Sequence, residues 1–439
     1  MRIGVIGAGT MGAGIAQLAA QTGAEVLVYD QFSDVDAAMA KVAGRWEKKG
    51  LAYAVPTAAP ELADLAGCDV IVEAIPERLE LKQELFAQLG ALAPGAILAS
   101  NTSSIPITAI ASSSPRPENV VGMHFFNPPP VMKLVEVIPA MQTSDATTRI
   151  VTELGEAMGK RVIVCADVTG FVVNRTNRPF GLESLRALGE GIAPVEAIDR
   201  IVRLGGGFRM GPFELQDLVG IDVGFEVALS FHELSFGEPR WRPSPLSAKM
   251  VAAGWIGRKS GRGWYAYDDA GTPHRPEDEP APERTAGATV VGEGPVADAL
   301  RALAGGDDGG PEIVVDGLGG TVAGEPFHAI VPLRLVEVTG DAGEAAFRGL
   351  GLHTERVAPS VAGVLPRLVA QLVNEAYFSL GDAVAGREDI DDGLKLGLNH
   401  PRGPLEWGDL LGLENVVALL AELREVHGDG YRPAPALLR

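Results

Sequence analysis

The stretch GMHFFNPPPVMKLVEV, residues 122–137, places one histidine and one glutamate, His124 and Glu136, in a largely apolar run that three prolines interrupt. A carboxylate beside an imidazole fixes the tautomer of the ring and stabilises its protonated form, as a base that takes a hydroxyl proton requires. The residues NVVGMHF predict a strand with His124 near its end, and MKLVEVI predicts an alternating strand with Glu136 on one face. Two adjacent strands would bring the side chains together. Taken alone, such a pair is more often a hydrogen-bonded core histidine and a solvent-facing glutamate.

A glycine-rich turn near the N-terminus indicates a nucleotide site. An apolar strand pattern precedes Gly7, Gly9 and Gly12 in the spacing G-x-G-x-x-G, and a helical stretch and a second apolar run, Val26–Tyr29, lead to Asp30. The first glycine permits the tight turn, the second lets the backbone approach a pyrophosphate, and the third lets helix and strand pack closely. The helix N-terminus favours the phosphates. Asp30 can accept from both ribose hydroxyls and would repel a 2′-phosphate, which predicts NAD rather than NADP.

Strand and helix patterns continue to alternate after this turn. DVIVEAIPERLELKQELFAQL predicts a buried strand, a turn and an amphipathic helix, and AILASNTSS predicts another strand that leads into a polar loop. We therefore expect an α/β fold with a parallel, doubly wound Rossmann-type sheet. Ligands on such sheets bind at the carboxyl ends of the strands, where Glu77, Asn101 and Ser103 fall. As single residues, Asn and Ser at these places are also typical of helix caps and turns.

The composition argues against several classes of function. Lys and Arg number 37 against 57 Asp and Glu, and the resulting net charge of −20 repels a phosphate backbone. No apolar run reaches the roughly 18 to 20 residues that cross a bilayer. Cys68 and Cys165 have no disulfide-type or metal-type spacing. We expect a cytoplasmic protein in a reducing compartment, with no metal, nucleic acid or membrane as partner.

Six motifs together resemble those of the 3-hydroxyacyl-CoA dehydrogenase family, in order and with similar spacing: GAGTMGAGIAQ, VEAIPERLELKQELF, SNTSSI, HFFNPPPVMKLVEVI, DVTGFVVNR and MGPFELQDLVGIDV. The resemblance covers roughly residues 1–268 and favours the catalytic interpretation of His124. It implies reversible oxidation of a (3S)-3-hydroxyacyl-CoA by NAD to the 3-oxoacyl-CoA, in fatty-acid (β-oxidation) or aromatic-acid (phenylacetate) breakdown.

The resemblance also implies roles for individual residues. His124 is similar to the family's catalytic base and Glu136 to its partner. Ser103 and Asn174 resemble residues that hydrogen-bond the reacting oxygen, and Asn127 resembles one that lines the same pocket. The positions that match NAD contacts are Gly7, Gly9, Thr10, Met11, Gly12, Asp30, Glu77, Lys82, Asn101 and Lys259. Three lysines after Asp30 are candidates for the phosphates of coenzyme A, although lysines on an exposed helix are usually only solvated: Lys41, Lys48 and Lys49.

The C-terminal part contains a repeat. RMGPFELQDLVGIDV returns as PRGPLEWGDLLGLEN at an offset of 192, and VMKLVEV at 131–137 is similar to PLRLVEV at 332–338. Four segments follow from this pattern. They are a NAD-binding domain (1–167), a helical domain (168–268), a Pro-, Gly- and acid-rich linker with a degenerate α/β segment (269–350), and a second helical domain (351–439). In the second copy His328 lies nine residues before Glu337, and Arg367 replaces Asn174, so we expect a structural role for it.

Several alternatives remain open from the sequence. The chain could instead oxidise a free hydroxy acid, or bind NAD without catalysis. The substrate could be 3-hydroxyadipyl-CoA or a short acyl-CoA such as 3-hydroxybutyryl-CoA. The two helical domains could pair within one chain as a pseudo-dimer, or the protein could be a homodimer.

Overall fold

The computed structural model describes residues 1–48, 50–305 and 309–439, which divide into two units. Unit 1 consists of Met1–Arg175 and Ala383–Leu398. Unit 2 consists of Thr176–Asp382 and Asn399–Arg439.

An eight-stranded sheet forms the centre of unit 1, in the order β3-β2-β1-β4-β5-β6-β7-β8. Neighbouring strands are parallel except for the antiparallel pair of β6 and β7. Strands such as β4 and β6 are buried along their whole length, as expected for a parallel sheet. The predicted Rossmann-type sheet is confirmed. Its strands are β1 (Arg2–Ile6), β2 (Glu25–Tyr29), β3 (Thr57–Ala58), β4 (Val70–Glu73), β5 (Ile97–Ser100), β6 (Val120–Phe125), β7 (Leu134–Pro139) and β8 (Arg161–Val164).

The helices that follow these strands are mostly amphipathic or Ala-rich. In α1 the small side chains of Ala16 and Ala19 are fully buried in the core of the sheet, which allows close helix–strand packing. In α5 the Ser144 side chain accepts a hydrogen bond from the Thr147 amide and caps the helix. The helices are α1 (Thr10–Gln21), α2 (Val35–Lys48), α3 (Leu79–Leu92), α4 (Ile107–Ala111), α5 (Asp145–Ala157) and α6 (Val173–Thr176), the last of which crosses the boundary between the units.

The strand order reverses between β1 and β4, which are neighbours in the middle of the sheet. In open α/β sheets the ligand crevice lies at the carboxyl ends of the strands at this point. Gly7 follows β1, Asn101 follows β5, and His124 is near the end of β6. The topology therefore gathers these residues at one edge of the sheet.

Unit 2 combines helices with a second sheet. The repeat predicted from the sequence is observed, because α9 and α10 are joined by one glycine with positive φ, Gly220, as α16 and α17 are by Gly412. The helices, in chain order, are α7 (Arg178–Gly189), α8 (Val195–Arg200, continued by a π-helical turn, Ile201–Gly205), α9 (Pro212–Val219), α10 (Ile221–Leu234), α11 (Pro245–Ala252), α12 (Pro295–Ala304), α13 (Asp341–Gly349), α14 (Leu365–Gly381), α16 (Pro404–Leu411) and α17 (Leu413–His427).

The second sheet has six strands in the order β14-β13-β12-β11-β10-β9. The outer pairs β9/β10 and β13/β14 are parallel, and the pairs between them are antiparallel. Its strands are β9 (Thr289–Val291), β10 (Glu312–Asp316), β11 (Gly319–Val322), β12 (Glu325–His328), β13 (Leu335–Val338) and β14 (His353–Arg356).

A linker and a degenerate α/β segment were expected over 269–350, and this sheet contains that α/β segment. The first elements of this segment are β9, a turn with two positive-φ glycines, and α12. From Thr289 onward the segment forms part of the sheet, because β9 pairs with β10. The sheet also extends past the expected boundary at 350, since β14 pairs with β13, and the helices resume at Leu365. The residues of β14, HTER, carry no apolar alternation, so pairing rather than local pattern makes them a strand.

One helix of the C-terminal part, α15 (Arg387–Leu398), belongs to unit 1. The sequence places it in the expected second helical domain, 351–439. In the structure α15 packs against β7 of the first sheet. No helix in the described parts of the chain is long and apolar enough to cross a membrane.

Candidate active site

His124 and Glu136 face each other across the antiparallel strands β6 and β7. The imidazole Nδ1 lies 2.6 Å from Oε2 of Glu136. Both side chains are buried, and the rings of Phe126 and Phe171 lie 4.6 and 5.9 Å from the imidazole ring. The predicted adjacency of the two strands is confirmed, and the pair is enclosed by apolar rings rather than by solvent.

The backbone holds the other oxygen of Glu136. Oε1 accepts hydrogen bonds from the amides of Val172 (3.0 Å) and Val173 (2.9 Å). An ionised carboxylate has only acceptor sites, so Oε2 must accept from an N–H at Nδ1. This assigns the proton of the neutral ring to Nδ1 and leaves the lone pair on Nε2. The arrangement therefore equips His124 to take up a proton at Nε2.

The other residues expected around the reacting group belong to unit 1 as well. The Asn174 side-chain amide donates to the backbone carbonyl of Ser103 over 3.3 Å. Asn101 Oδ1 accepts from the amide of Phe125 (2.8 Å), the residue after His124. Asn127 is exposed just beyond the end of β6. The structure thus links the polar loop after β5 both to Asn174 and to the strand that carries His124.

Glu77 organises this polar loop. Its Oε1 accepts from the Thr102 hydroxyl (2.6 Å) and the Ser103 amide (2.8 Å), and it lies 3.3 Å from the Ser103 hydroxyl. Burial opposes its ionisation, but Lys82 and these hydrogen bonds outweigh that effect and lower the pKa of Glu77. The carboxylate therefore stays charged and holds the loop in place.

Lys82 lies beneath the same loop. Its side chain is 1 % exposed, and its Nζ is 2.7 Å from Glu73 and 3.4 Å from Glu77. In this arrangement Lys82 acts on the site by holding Glu77. Its direct contact with NAD, implied by the resemblance, stays a prediction.

The glycine turn has the geometry that its spacing predicts. Gly7 has a φ of +101°, and a β-carbon there would lie 2.6 Å from the carbonyl oxygen of Ala74. A β-carbon at Gly12 would lie 1.8 Å from the Gly7 carbonyl oxygen. Gly9 has nothing within 4 Å of where its β-carbon would be, so this side of the turn is open to a pyrophosphate. Thr10 and Met11 open α1 directly after it.

Asp30 follows β2 and faces the turn. Its Oδ2 accepts from the Ala8 amide (2.7 Å), and its Oδ1 accepts from the amides of Phe32 (2.8 Å) and Ser33 (2.9 Å). Burial raises the pKa of Asp30, but these three hydrogen bonds outweigh burial and lower it. A fixed negative charge at this place suits a ribose diol and opposes a 2′-phosphate.

A basic cavity of about 610 Å³ lies beside the turn and is lined by Gly9, Thr10 and residues of α2. Among these are Lys41, Arg45 and Lys48, which the helix places on one face because they are four and three residues apart. Arg45 was not among the candidates from the sequence, although its helical spacing from Lys41 and Lys48 places it on the same face. Lys49 lies outside the described residues.

Comparison with known proteins identifies the relatives of this chain. The family model "3-hydroxyacyl-CoA dehydrogenase, NAD binding domain" matches residues 2–168, and the model "3-hydroxyacyl-CoA dehydrogenase, C-terminal domain" matches 170–267 and 364–439. The chain belongs to the 3-hydroxyacyl-CoA dehydrogenase family. It is an NAD-dependent 3-hydroxyacyl-CoA dehydrogenase, and the open turn and Asp30 fit that cofactor.

Individual relatives agree with this assignment. A 3-hydroxyadipyl-CoA dehydrogenase of Escherichia coli is 36% identical, with 99% of this chain and 96% of the relative covered. A probable 3-hydroxybutyryl-CoA dehydrogenase of Deinococcus radiodurans is 47% identical over 61% of this chain and its own full length. The crystal structure of a 3-hydroxybutyryl-CoA dehydrogenase from E. coli has a TM-score of 0.81 at 34% identity, covering 100% of this chain and 97% of the other.

Lys259 of the dehydrogenase lies in unit 2, apart from the other predicted cofactor residues in sequence. Its Nζ is 2.7 Å from Oδ2 of Asp222, and its side chain is 45 % exposed. The ion pair leaves the ammonium accessible. Contact between Lys259 and NAD stays a prediction.

The second copy repeats part of the geometry of the His124–Glu136 pair. His328 on β12 is directly opposite Glu337 on β13, despite their shorter spacing. Glu337 accepts from the amides of Val364 (2.6 Å) and Leu365 (2.8 Å), as Glu136 does from a valine pair. Burial raises the pKa of Glu337 to about 7 and lowers that of His328 to about 4. Burial thus favours an uncharged pair here, which suits the expected structural role.

Arg367, which replaces Asn174 in the second copy, ties helices of unit 2 together. It is buried and lies 2.8 Å from Glu183 and 2.6 Å from Glu190 of the first helical repeat, and it also contacts Tyr431. Burial alone would lower its pKa, but the two glutamates raise it instead, so the guanidinium remains charged. The position has a packing function where the first copy has a polar site residue.

Proposed function

We propose that this dehydrogenase oxidises the C3 hydroxyl of a (3S)-3-hydroxyacyl-CoA with His124 as the general base. Nε2 of His124 would take the hydroxyl proton, and Glu136 would stabilise the imidazolium that results. Bound NAD supplies the hydride acceptor. The observation that carries the proposal is the 2.6 Å contact between Nδ1 and Oε2, in a buried pair whose carboxylate is anchored by two backbone amides.

Ser103 and Asn174 would orient the reacting oxygen. The hydrogen bond from the Asn174 side chain to the Ser103 carbonyl and the bond from the Ser103 amide to Glu77 support this, because they hold Asn174 next to the polar loop that carries Ser103. Asn101, bonded to the strand of His124, would couple that loop to the base. Asn127, exposed beyond β6, would line the acyl pocket.

The cofactor would lie along the glycine turn. Gly7, Gly9, Thr10, Met11 and Gly12 would present backbone amides and the positive end of α1 to the pyrophosphate. The adenine ribose would then bond to Asp30, whose oxygens are now bonded to nearby amides. Glu77, Lys82 and Asn101 would be further NAD contacts of unit 1, and contact between Lys259 and NAD stays a prediction from the resemblance.

Coenzyme A would be held by charge at the basic face of α2. Lys41, Arg45 and Lys48 share one cavity, in a protein whose net charge is −20. A local cluster of this kind can bind phosphates that the protein as a whole repels. Rate loss on neutralising these residues should be larger for acetoacetyl-CoA than for a substrate without the nucleotide part.

For the acyl group, we propose 3-hydroxyadipyl-CoA and short acyl-CoAs as the substrates to compare first. The relative that matches nearly the whole chain is named for 3-hydroxyadipyl-CoA, and the matching crystal structure is named for 3-hydroxybutyryl-CoA. These correspond to cytoplasmic aromatic-acid and fatty-acid breakdown respectively. The ratio of kcat/KM for acyl chains with and without a terminal carboxylate discriminates between the two.

The two helical repeats would act as a pseudo-dimer within one chain. The corresponding helices α7 and α14 pack together, and Arg367 joins them through Glu183 and Glu190. Sedimentation of the full chain should then give the mass of one 45.9 kDa chain. A stable dimer at micromolar concentration would favour the homodimer.

The test of the reaction uses NADH oxidation with acetoacetyl-CoA, and separately with free acetoacetate, by wild type and His124→Ala. We expect activity with the thioester alone and a loss of about 10²- to 10⁴-fold in the variant, with NADH binding retained. His274→Ala, at an exposed histidine, is the matched control and should not change the rate. Full activity of His124→Ala would refute the role of the base, and equal activity on free acetoacetate would refute the acyl-CoA assignment.

A further inference from the structure

The helix α15 stands apart from the segments that flank it, because it belongs to unit 1 while they belong to unit 2. It packs against β7, the strand that carries Glu136. Nothing in the chemistry proposed above requires this helix. The helix nevertheless contacts the residues that hold the carboxylate of Glu136.

The turn that holds Glu136 is the surface on which α15 rests. Val172 and Val173 donate their amides to Oε1 of Glu136, and their side chains are fully buried. A β-carbon on Gly393 would lie 3.2 Å from a methyl group of Val173 and 3.3 Å from one of Val172. The backbone of α15 therefore packs closely against the two valines, with little room for a side chain at Gly393.

One turn further along α15, Gly397 makes the same kind of approach. A β-carbon there would lie 3.0 Å from Leu134, two residues before Glu136 on β7, and 3.4 Å from Val173. Glycine is a poor helix residue, so two glycines four positions apart on one buried face indicate close packing at that face. The helix contacts both the turn that holds the carboxylate and the strand that carries it.

Charged groups attach the outer side of α15 to the same sheet. Arg161, which is opposite Leu134 in the pairing of β7 and β8, lies 2.7 Å from Asp389 and 3.2 Å from Asp392 of α15. The amide of Ala166 also donates to the carbonyl of Val384, just before the helix (2.9 Å). These bonds hold α15 in place against the turn at residues 172–173.

We infer that α15 is a positioning element of the catalytic pair, supplied to the first sheet by the C-terminal half of the chain. Oε2 faces Nδ1 of His124 only while Oε1 is held by the turn at 172–173. The position of that turn depends on the glycine face of α15. Gly393 is the positioning residue, acting on the base through Glu136, and the inference rests on the role proposed above for that pair.

The test is a graded series at Gly393 in the full-length protein. Gly393→Ala requires the valine methyl groups to move by a few tenths of an ångström, and Gly393→Leu requires much more. We expect kcat for steady-state NADH oxidation to fall slightly in the first and about 10- to 100-fold in the second. KM for acetoacetyl-CoA and the Kd for NADH should stay within about twofold of wild type, since the cofactor turn is elsewhere in the unit.

Two further variants separate positioning from loss of structure. Gly224→Ala, in α10, is the matched helical control, because nothing lies within 4 Å of its β-carbon, and its kcat should equal that of wild type. Asp389→Asn with Asp392→Asn loosens the half-exposed attachment without filling space. If Gly393→Leu does not fold, this double variant should still lower kcat several-fold with KM unchanged, and an unchanged kcat there would overturn the inference.

The deciding experiment is a double-mutant cycle with Glu136→Ala. If α15 acts through Glu136, Gly393→Leu should cost nothing further in kcat once the carboxylate is absent. If the fold-loss in kcat of the double variant equals the product of the two single fold-losses, the inference is overturned and α15 is a general packing element. If Glu136→Ala itself keeps the wild-type kcat, the proposed catalytic pair fails instead, which is a distinguishable result.

Discussion

Replacing Glu136 with glutamine removes one charge and exchanges an acceptor for a donor, while the shape of the side chain is kept. The amide oxygen can still accept from Val172 and Val173, so the NH₂ group must face the imidazole of His124. Reversing the amide would leave two buried backbone N–H groups without acceptors, at a cost on the order of 2–6 kcal/mol. Nδ1 must then accept rather than donate, and the ring proton moves to Nε2, the atom that should take the substrate proton.

The size of the effect follows from this exchange. In the productive tautomer the Nδ1–H group of His124 would face the NH₂ group of the glutamine, and this contact between two donors costs roughly 1–3 kcal/mol. The imidazolium also loses a partner charge at 2.6 Å. A combined loss of about 2.7 to 5.5 kcal/mol in transition-state stabilisation corresponds to a decrease of about 10²- to 10⁴-fold in kcat. The Kd for NADH should be unaffected.

The assay is steady-state NADH oxidation with saturating acetoacetyl-CoA, together with NADH titration and thermal unfolding. Glu156→Gln, an exposed glutamate of α5, is the matched control. If kcat of Glu136→Gln stays within about threefold of wild type while the fold and NADH affinity are intact, the tautomer argument is wrong.

Three further outcomes are expected. In Gly12→Ala the new β-carbon would overlap a backbone carbonyl oxygen at 1.8 Å, so NADH affinity measured by titration should fall at least about tenfold, whereas Gly95→Ala, with open space around it, should bind normally. Asp30→Asn removes the charge that opposes a 2′-phosphate, so the preference for NADH over NADPH in kcat/KM should fall about tenfold. Burial raises the pKa of Glu238, but Arg432 and nearby donors outweigh it and lower that pKa to about 2. The stability that ionised Glu238 adds is present above pH 4.5 and is lost as the pH falls toward 2. The unfolding midpoint of Glu238→Gln should therefore depend less on pH over that window than the midpoint of wild type. An unchanged pH profile would contradict the shift.

Much of the first sheet could be predicted from local pattern. The spacing of Gly7, Gly9 and Gly12 between a strand and a helix is typical of a dinucleotide-binding turn. Asp30 lies at the distance along the chain where the acidic residue that binds the ribose is expected. The alternation around Glu136 predicted a strand beside that of His124, and the structure has the two residues opposite each other. These features are readable because each depends on residues close together in the chain.

The contacts that complete the site were not readable in that way. The resemblance gave Lys82 as a cofactor residue, which stays a prediction, but it did not show that Lys82 is buried and paired with Glu73 and Glu77. Residues from 351 onward were expected to be helical, yet β14 forms there by pairing with β13. Opposition of His328 and Glu337 was hidden by a shorter hairpin.

By itself the sequence determined the Rossmann unit, the cofactor and the family, and it indicated His124 and Glu136 as the candidate catalytic pair, since glycine turns, strand periodicity and ordered motifs are local properties. Only the tertiary structure decided how the pair is held. The amides at 172–173 reach Glu136 across 36 and 37 residues of sequence, and α15 reaches that turn from more than two hundred residues further on. Such contacts depend on which surfaces meet when the chain folds, and the close approach at Gly393 becomes visible only when Val172 and Val173 are seen beneath it.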